Sequence, residues 1–391
     1  MPLLFDSLFS SIAFGHFMVD LLNGSRPVLL AYLSGPLGLT NANIGVISTL
    51  YIATASITQP VFGWLTDRFG PRWLAAGGLL WMMVFFMLAM FLPGTEALIF
   101  LVIASLGSAA LHPAGAMQAT VRGRTHYAGR ETTAASFFFM FGQVGLFMGP
   151  IITGPLLDRF GLPGLLIPAG LCLPVALNAG WQLRHTRPSH ASENVQAAGK
   201  INHSIWFIVT LTAVAVLQAW AQQNMVTFLP KYLSDLGQTP AIYGLIAGLF
   251  MGGSALGNVL GGQLADRFGK QRVAGTMLAL AGVPLFIISL VGWSPWLYLL
   301  VPLSGMLTGS VHSIIVVIAQ SVIRGGMALA SGLTLGIMFT AGAFGTLLSG
   351  TLADIWGFPP VFQMTAGLVL AASLATLRLR EPAPKKSLVE A

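Results

Sequence analysis

"GWLTDRFG", residues 63–70, sets an Asp and an Arg directly behind a long apolar run. Near copies follow as "GPLLDRFG" (154–161) and "GQLADRFG" (262–269), and a worn one as "GTLADIWG" (350–357). In each copy the aspartate (Asp67, Asp158, Asp266, Asp354) stands four residues after a glycine. A phrase written four times at the ends of apolar stretches marks an internal repeat.

The stretches themselves are membrane spans. Of 391 residues, 55% are hydrophobic and only 8% are charged, against roughly 25% charged in a soluble domain. A spanning helix needs about 20 apolar residues. Such runs lie near 7–33, 41–66, 72–92, 96–120, 131–157, 161–183, 203–232, 240–266, 271–291, 295–319, 328–354 and 357–378. The four copies close runs 2, 5, 8 and 11, one per three helices. Because successive helices alternate in direction, runs 2 and 8 end on one side and runs 5 and 11 on the other. Neighbouring three-helix units are then inverted, the repeat logic of secondary transporters, whose binding site lies near the bilayer midplane.

The halves also match in parallel. "YLS" at 32–34 returns at 232–234, and His112 and His312 share the same offset of 200. The expected fold is all-α: twelve transmembrane helices in two pseudo-symmetric six-helix bundles, residues 1–183 and 203–380. A polar cytoplasmic linker, 184–202, joins them, and a cytoplasmic tail, 381–391, follows.

All but three of the 19 Lys and Arg fall at the ends or in gaps on one side. Arg159 and Lys231 lie on the other, and Arg26 lies within helix 1. Basic residues stay cytoplasmic, so both termini are expected inside, in a bacterial inner membrane. The net charge of +7 is then topology, and no nucleic-acid partner is needed to explain it. The start, "MPLLFDSLFSSIAFGHF", lacks a basic leading segment and carries Asp6, so a cleaved signal peptide is not expected. Cys172, the one cysteine, can form no intrachain disulfide.

Polar groups inside the membrane are expensive. Helix 1 carries "HFMVDLLNGSRP" (16–27), in which His16, Asp20 and Asn23 share a face. Arg26 follows about two turns beyond Asp20 by helical spacing. A polar network that fixes packing would explain these residues, but a charged Asp near mid-bilayer costs about 3 kcal/mol or more. The sharper reading makes Asp20 the proton carrier and His16 its tuning partner. Asn23, Arg26 (an anion contact), His112, Gln143 and His312 are expected to line the substrate cavity. No second His, Cys or carboxylate falls at ligand spacing beside His112 or His312, so neither a metal site nor a cofactor is expected. The chain has no G-x-x-x-x-G-K-[ST] and no H-E-x-x-H, which speaks against an enzyme.

"GWLTDRFGPR" (63–72) and "GGQLADRFGKQR" (261–272) resemble the signature loop of the major facilitator superfamily, G-x-x-x-D-R-x-G-[RK]-[RK]. Pro71 and Gln271 depart from it, while Arg72 and Arg272 keep a charge. The resemblance implies the twelve-helix fold and a cytoplasmic gate of Gly63, Asp67, Arg68, Arg72, Gly262, Asp266, Arg267 and Arg272. The two glycines would allow close helix approach there. "GQVGLFMGPIITGP" (142–155) resembles the Gly-rich antiporter motif of exporting members. His16-x-x-x-Asp20, His112-Pro113 and the "GR" (129–130) to "GP" (149–150) spacing resemble the fosmidomycin-resistance exporters. That group tends to place Asn where this chain has Gln143, and "AGAM" after Pro113 is apolar where its members are polar. The expected function is a monomeric, proton-coupled exporter of small amphiphilic or anionic compounds. The alternative is a proton symporter importing a small organic anion or sugar.

Overall fold

The computed structural model describes residues 2–92, 94–127, 131–186, 205–322 and 327–379. Among these, eleven helices are long and apolar enough to cross a membrane. Helix α1 (Ser7–Ser34), enriched in polar groups, joins them as the twelfth. The rest are α2 (Asn41–Phe69), α3 (Pro71–Phe91), α4 (Glu96–His126), α5 (Glu131–Phe160) and α6 (Leu162–His185). The second half adds α7 (Ile205–Asp235), α8 (Pro240–Phe268), α9 (Lys270–Val291), α10 (Leu297–Ala319), α11 (Met327–Trp356) and α12 (Phe358–Thr376). Most of the expected linker and the whole tail 381–391 lie outside the described residues.

The repeated phrase is, first of all, a helix stop. Its closing glycines, Gly70, Gly161, Gly269 and Gly357, take φ of 88°, 62°, 93° and 79°, a conformation that disfavours a Cβ. Each ends one span and turns the chain into the next. At the other end of α2, Thr40 and Asn43 cap each other's backbone N–H groups, at 3.1 and 3.0 Å, a reciprocal cap that fixes the start of the helix. The Asp6 carboxylate caps α1 by accepting from the Phe9 N–H at 2.9 Å.

Two seams join the halves, both on the face opposite the N-terminus. Along α2 and α11, the Asp354 carboxylate accepts from the backbone N–H groups of Asn41 and Ala42 at 2.8 and 2.9 Å. Thr49 Oγ1 donates to the Ala343 carbonyl at 2.6 Å in the same seam. Along α5 and α8, a Cβ on Gly154 would lie 3.1 Å from Ala241 Cα and collide with the Pro240 carbonyl. These backbones approach as closely as glycine allows.

The same phrase on the N-terminal face is apart. A Cβ on Gly63 or Gly262 would meet nothing nearer than 3.8 Å, so the close approach expected at these glycines is absent in this conformation. Asp67, Arg68, Asp266, Arg267 and Arg272 are exposed, and among the described residues they form no ion pair. Arg68 and Arg72 instead lie over the Trp64 and Trp73 rings. A different pair holds this face of the first half. Arg122, near the end of α4, grips Asp6 through Nε and Nη2, the latter at 2.7 Å, while the Tyr127 hydroxyl donates to the same carboxylate.

Candidate functional site

The polar face of α1 is pressed against α5 and α4, and small residues let it fit. A Cβ on Gly142 would lie 2.6 Å from Asp20 Oδ2 and would collide with the His16 ring. Farther along, Gly145 and Gly149 face the α1 backbone in the same way. The glycine run of α5 thus packs on α1, with Gly154 turned to the other half. The run in α8 is a packing seam as well, its Gly253, Gly257 and Gly261 facing carbonyls of α10.

Asp20 is 7% exposed and gathers three partners. His16 Nε2 lies 3.1 Å from Oδ2, and His112 Nε2 lies 3.5 Å from Oδ1. Asn23 Nδ2 donates to Oδ1 at 2.8 Å and to Ser108 Oγ at 3.0 Å. The His16 ring stacks on Phe138, with centroids 4.1 Å apart. His112 therefore has ligand partners, contrary to the expectation from sequence spacing. One donor atom each from His16, Asp20 and His112 fall within 4.8 Å of one another. The sequence interval hid this, because the fold brings α4 to α1.

The rings' other nitrogens settle their tautomers. His16 Nδ1 is 2.8 Å from the Phe138 carbonyl, and His112 Nδ1 is 2.7 Å from the Ser108 carbonyl. A carbonyl only accepts, so each Nδ1 carries a proton. In a neutral ring the Nε2 is then bare, and both bare nitrogens face the Asp20 carboxylate. Three lone-pair donors converging in a buried space repel one another unless a small cation joins them. A proton on either Nε2 turns that repulsion into a charge-assisted hydrogen bond to the carboxylate, and a proton on the carboxyl turns it into an ordinary one.

Arg26 stands farther along α1, 5% exposed. Its guanidinium lies 4.8 Å from the centroid of the Tyr51 ring. Its Nε has no hydrogen-bond partner, and among the described residues no carboxylate pairs with it. The Tyr51 hydroxyl donates to Asn23 Oδ1 at 2.6 Å, linking this cation to the Asp20 cluster.

Two expected cavity residues stand away from this cluster. Gln143 is exposed, one turn from Phe147, the residue that meets Gly252 of α8. His312 is half-buried, beyond the break in α10 between Gly309 and His312, with the Phe339 ring 6.5 Å away. The second half answers the ionisable cluster with amides: Gln218 Nε2 donates to Gln222 Oε1 at 2.7 Å, and Gln222 Nε2 to Ser254 Oγ at 3.0 Å. Tyr51 and Ser108 escaped the sequence reading, and Gly142 was legible only as one glycine of the run at 142–155. A tyrosine within a membrane span was the signal available for Tyr51.

Twelve spans, inverted repeats and a buried ionisable cluster between close-packed helices define a secondary transporter. The chain belongs to the major facilitator superfamily, whose sequence model matches residues 12–234 and 211–391. It is 28% identical over 378 residues to YfnC of Bacillus subtilis, described as an uncharacterized MFS-type transporter, covering 93% of this chain and 90% of that one. It is 25% identical over 379 residues to the fosmidomycin resistance protein of Escherichia coli, covering 94% and 91%. In fold it is similar to the crystal structure of the nucleoside transporter NupG, with a TM-score of 0.74 at 19% identity over 95% of this chain and 98% of that one. The protein is an integral multi-pass membrane transporter and not an enzyme.

Proposed function

We propose that this chain is a proton-coupled exporter of small amphiphilic or anionic compounds, set in a bacterial inner membrane with both termini cytoplasmic. The observation that carries the reading is the Asp20 cluster. Two imidazole nitrogens that are bare in their neutral rings face one buried carboxylate, so the cluster is most stable with a proton in it. A group that must gain a proton when one face is open, and can lose it when the other opens, is what coupling requires. His112 is the proton's way in, because its side chain is 23% exposed against 3% for His16 and 9% for Asp20.

The seams on the far face are closed and the signature loops are apart, so with cytoplasmic termini the cleft opens inward, a state that an alternating-access carrier visits whichever way it runs. The resistance protein among the relatives supports efflux, and Arg26 supplies a cation for an anionic cargo. The second reading, proton symport importing a small organic anion or sugar, is supported by the same arginine. An anion lodged there would sit near the proton site, and their opposite charges favour loading together.

The test is transport by the purified protein in proteoliposomes under imposed pH gradients of both signs, with fosmidomycin and benzenesulfonate as cargo. Exchange of cargo for protons is the expected result. Accumulation of cargo with protons would establish the second reading, and transport indifferent to the gradient would overturn both.

A further inference from the structure

Between Arg26 and Asp20 runs an unbroken chain of contacts whose polarity is fixed. The Arg26 guanidinium rests on the Tyr51 ring. The Tyr51 hydroxyl has one proton, and it is committed to Asn23 Oδ1 at 2.6 Å. That bond orients the amide so that its Nδ2 donates to Asp20 Oδ1 at 2.8 Å. Ser108 Oγ takes the other amide proton at 3.0 Å. Tyr51 is 3% exposed, and each donor in this network has one assignment.

We propose that Tyr51 and Asn23 are positioning residues that link an oxyanion held by Arg26 to the protonation of the Asp20 cluster, so that the two bind cooperatively. The inference rests on the proton-site reading above. An oxyanion at Arg26 offers the phenol a charged acceptor, which outbids a neutral amide oxygen. When the hydroxyl turns to it, Asn23 Oδ1 loses its donor and the amide is no longer held toward Asp20. A buried carboxylate deprived of a donor binds a proton more tightly. Anion binding thus favours proton uptake, and by linkage a proton on the cluster favours the anion by the same factor. For anionic cargo the relay favours proton and substrate loading together, which is the second reading above and not exchange, so such cargo should accumulate with protons in the liposome assay. An uncharged amphiphile has no hold on Arg26 and leaves the relay at rest.

The charged and titratable groups around Asp20 are few. They are His16 on its own helix, His112 from α4, and Tyr51 from α2, with Arg26 beyond it. Among the described residues, helix α5 presents Gly142, the Phe138 carbonyl and the Phe138 and Phe139 rings but no charged group there, and the charges of α7, Lys231 and Asp235, are paired with each other. A pH effect on anion binding therefore reports these groups, and removing the phenol oxygen alone isolates the relay.

The probe is benzenesulfonate, whose charge does not change between pH 6 and pH 8, bound to the purified full chain in detergent. The wild type should bind it about tenfold more weakly at pH 8 than at pH 6, the scale of one hydrogen bond to a charged group, and should take up protons on binding. Tyr51→Phe keeps the ring beneath Arg26, so its affinity at pH 8 should stay close to that of the wild type while most of the pH dependence and the proton uptake disappear. Asn23→Leu breaks the same link from the other end and should behave alike, which guards against a folding defect in either variant. Arg26→Gln should abolish binding at both pH values. Full pH dependence in well-folded Tyr51→Phe would overturn the relay, and undiminished binding by Arg26→Gln would overturn the anion site. No binding by the wild type would overturn both. These are binding measurements without a gradient, so failure of gradient-driven transport in liposomes would sink proton coupling separately.

Discussion

The Asp354 carboxylate, at the end of α11, accepts a hydrogen bond from the Asn41 N–H, at the start of α2, across the seam between the two halves. It takes the Ala42 N–H as well, so one side chain satisfies two of the N–H groups that a helix start leaves open and sits against the positive end of the helix dipole. Asp354→Asn keeps the shape and removes the charge. Such a contact is worth about 1 kcal/mol, so the closed seam should open about fivefold more often. A cysteine placed at Thr49, which is 7% exposed in that seam, reports it. In a Cys172→Ser background, the Asp354→Asn change should speed maleimide labelling at this position severalfold. An unchanged rate would show that the carboxylate does not hold the seam.

Asp20→Asn should separate coupling from exchange. The amide keeps the shape of the carboxylate but cannot bind and release the proton. Gradient-driven movement in liposomes should disappear while cargo-for-cargo exchange, which needs no proton release, persists. His16→Gln should be milder, displacing the pH optimum. His112→Gln should slow proton access, since His112 is the exposed member of the cluster. A folded Asp20→Asn protein that still transports under a pH gradient would remove Asp20 as the sole carrier.

Asp67→Asn and Asp266→Asn should lower flux and leave cargo affinity unchanged. Both residues are exposed on the N-terminal face, away from the buried cluster, and neither pairs in this conformation. Their contribution is expected in the state where that face closes. Affinity of the purified variants, measured beside flux, decides the point. Affinity falling in step with flux would place them in the binding site.

The Asp6 latch predicts an acid limb in stability. Burial pushes the Asp6 carboxyl up, but the hydrogen bonds from Arg122 and the Phe9 N–H and the Arg122 charge outweigh it, so its pKa lies below the ordinary 3.8. A depressed carboxyl stabilises the fold fully above that ordinary value and loses the contribution as pH falls through the folded one. The thermal midpoint should be insensitive to Asp6 between pH 5 and 7 and should fall below about pH 4. Asp6→Asn retains the cap on Phe9 and loses only the pairing with Arg122, whereas Asp6→Ala loses both. The alanine variant should be the less stable by about 1 kcal/mol, the usual worth of an N-cap. Equal melting of the two would deny the cap its role.

Whatever depends on neighbours along the chain was legible before any fold was known. Span lengths follow from apolar runs. The four-fold phrase follows from helices that must stop and turn, and its closing glycines do take the left-handed conformation. His16 and Asp20 were legible as a pair because residues four apart on a helix stack whatever surrounds them. The family followed from the same local signatures. His112 and Tyr51 were not legible as partners of Asp20, because no periodicity connects α4 or α2 to α1. Their meeting depends on how α2 and α4 assemble around α1, which no spacing within one helix records. Which copies of the phrase are engaged is likewise a matter of how the helices assemble. Asp354 is bonded across the halves and Asp67 and Asp266 are not, although each stands four residues after the glycine of its phrase. Alternative packings of one repeat differ by only a few kcal/mol, and a difference that small resides in the sum of contacts across the seams, beyond the reach of any single motif.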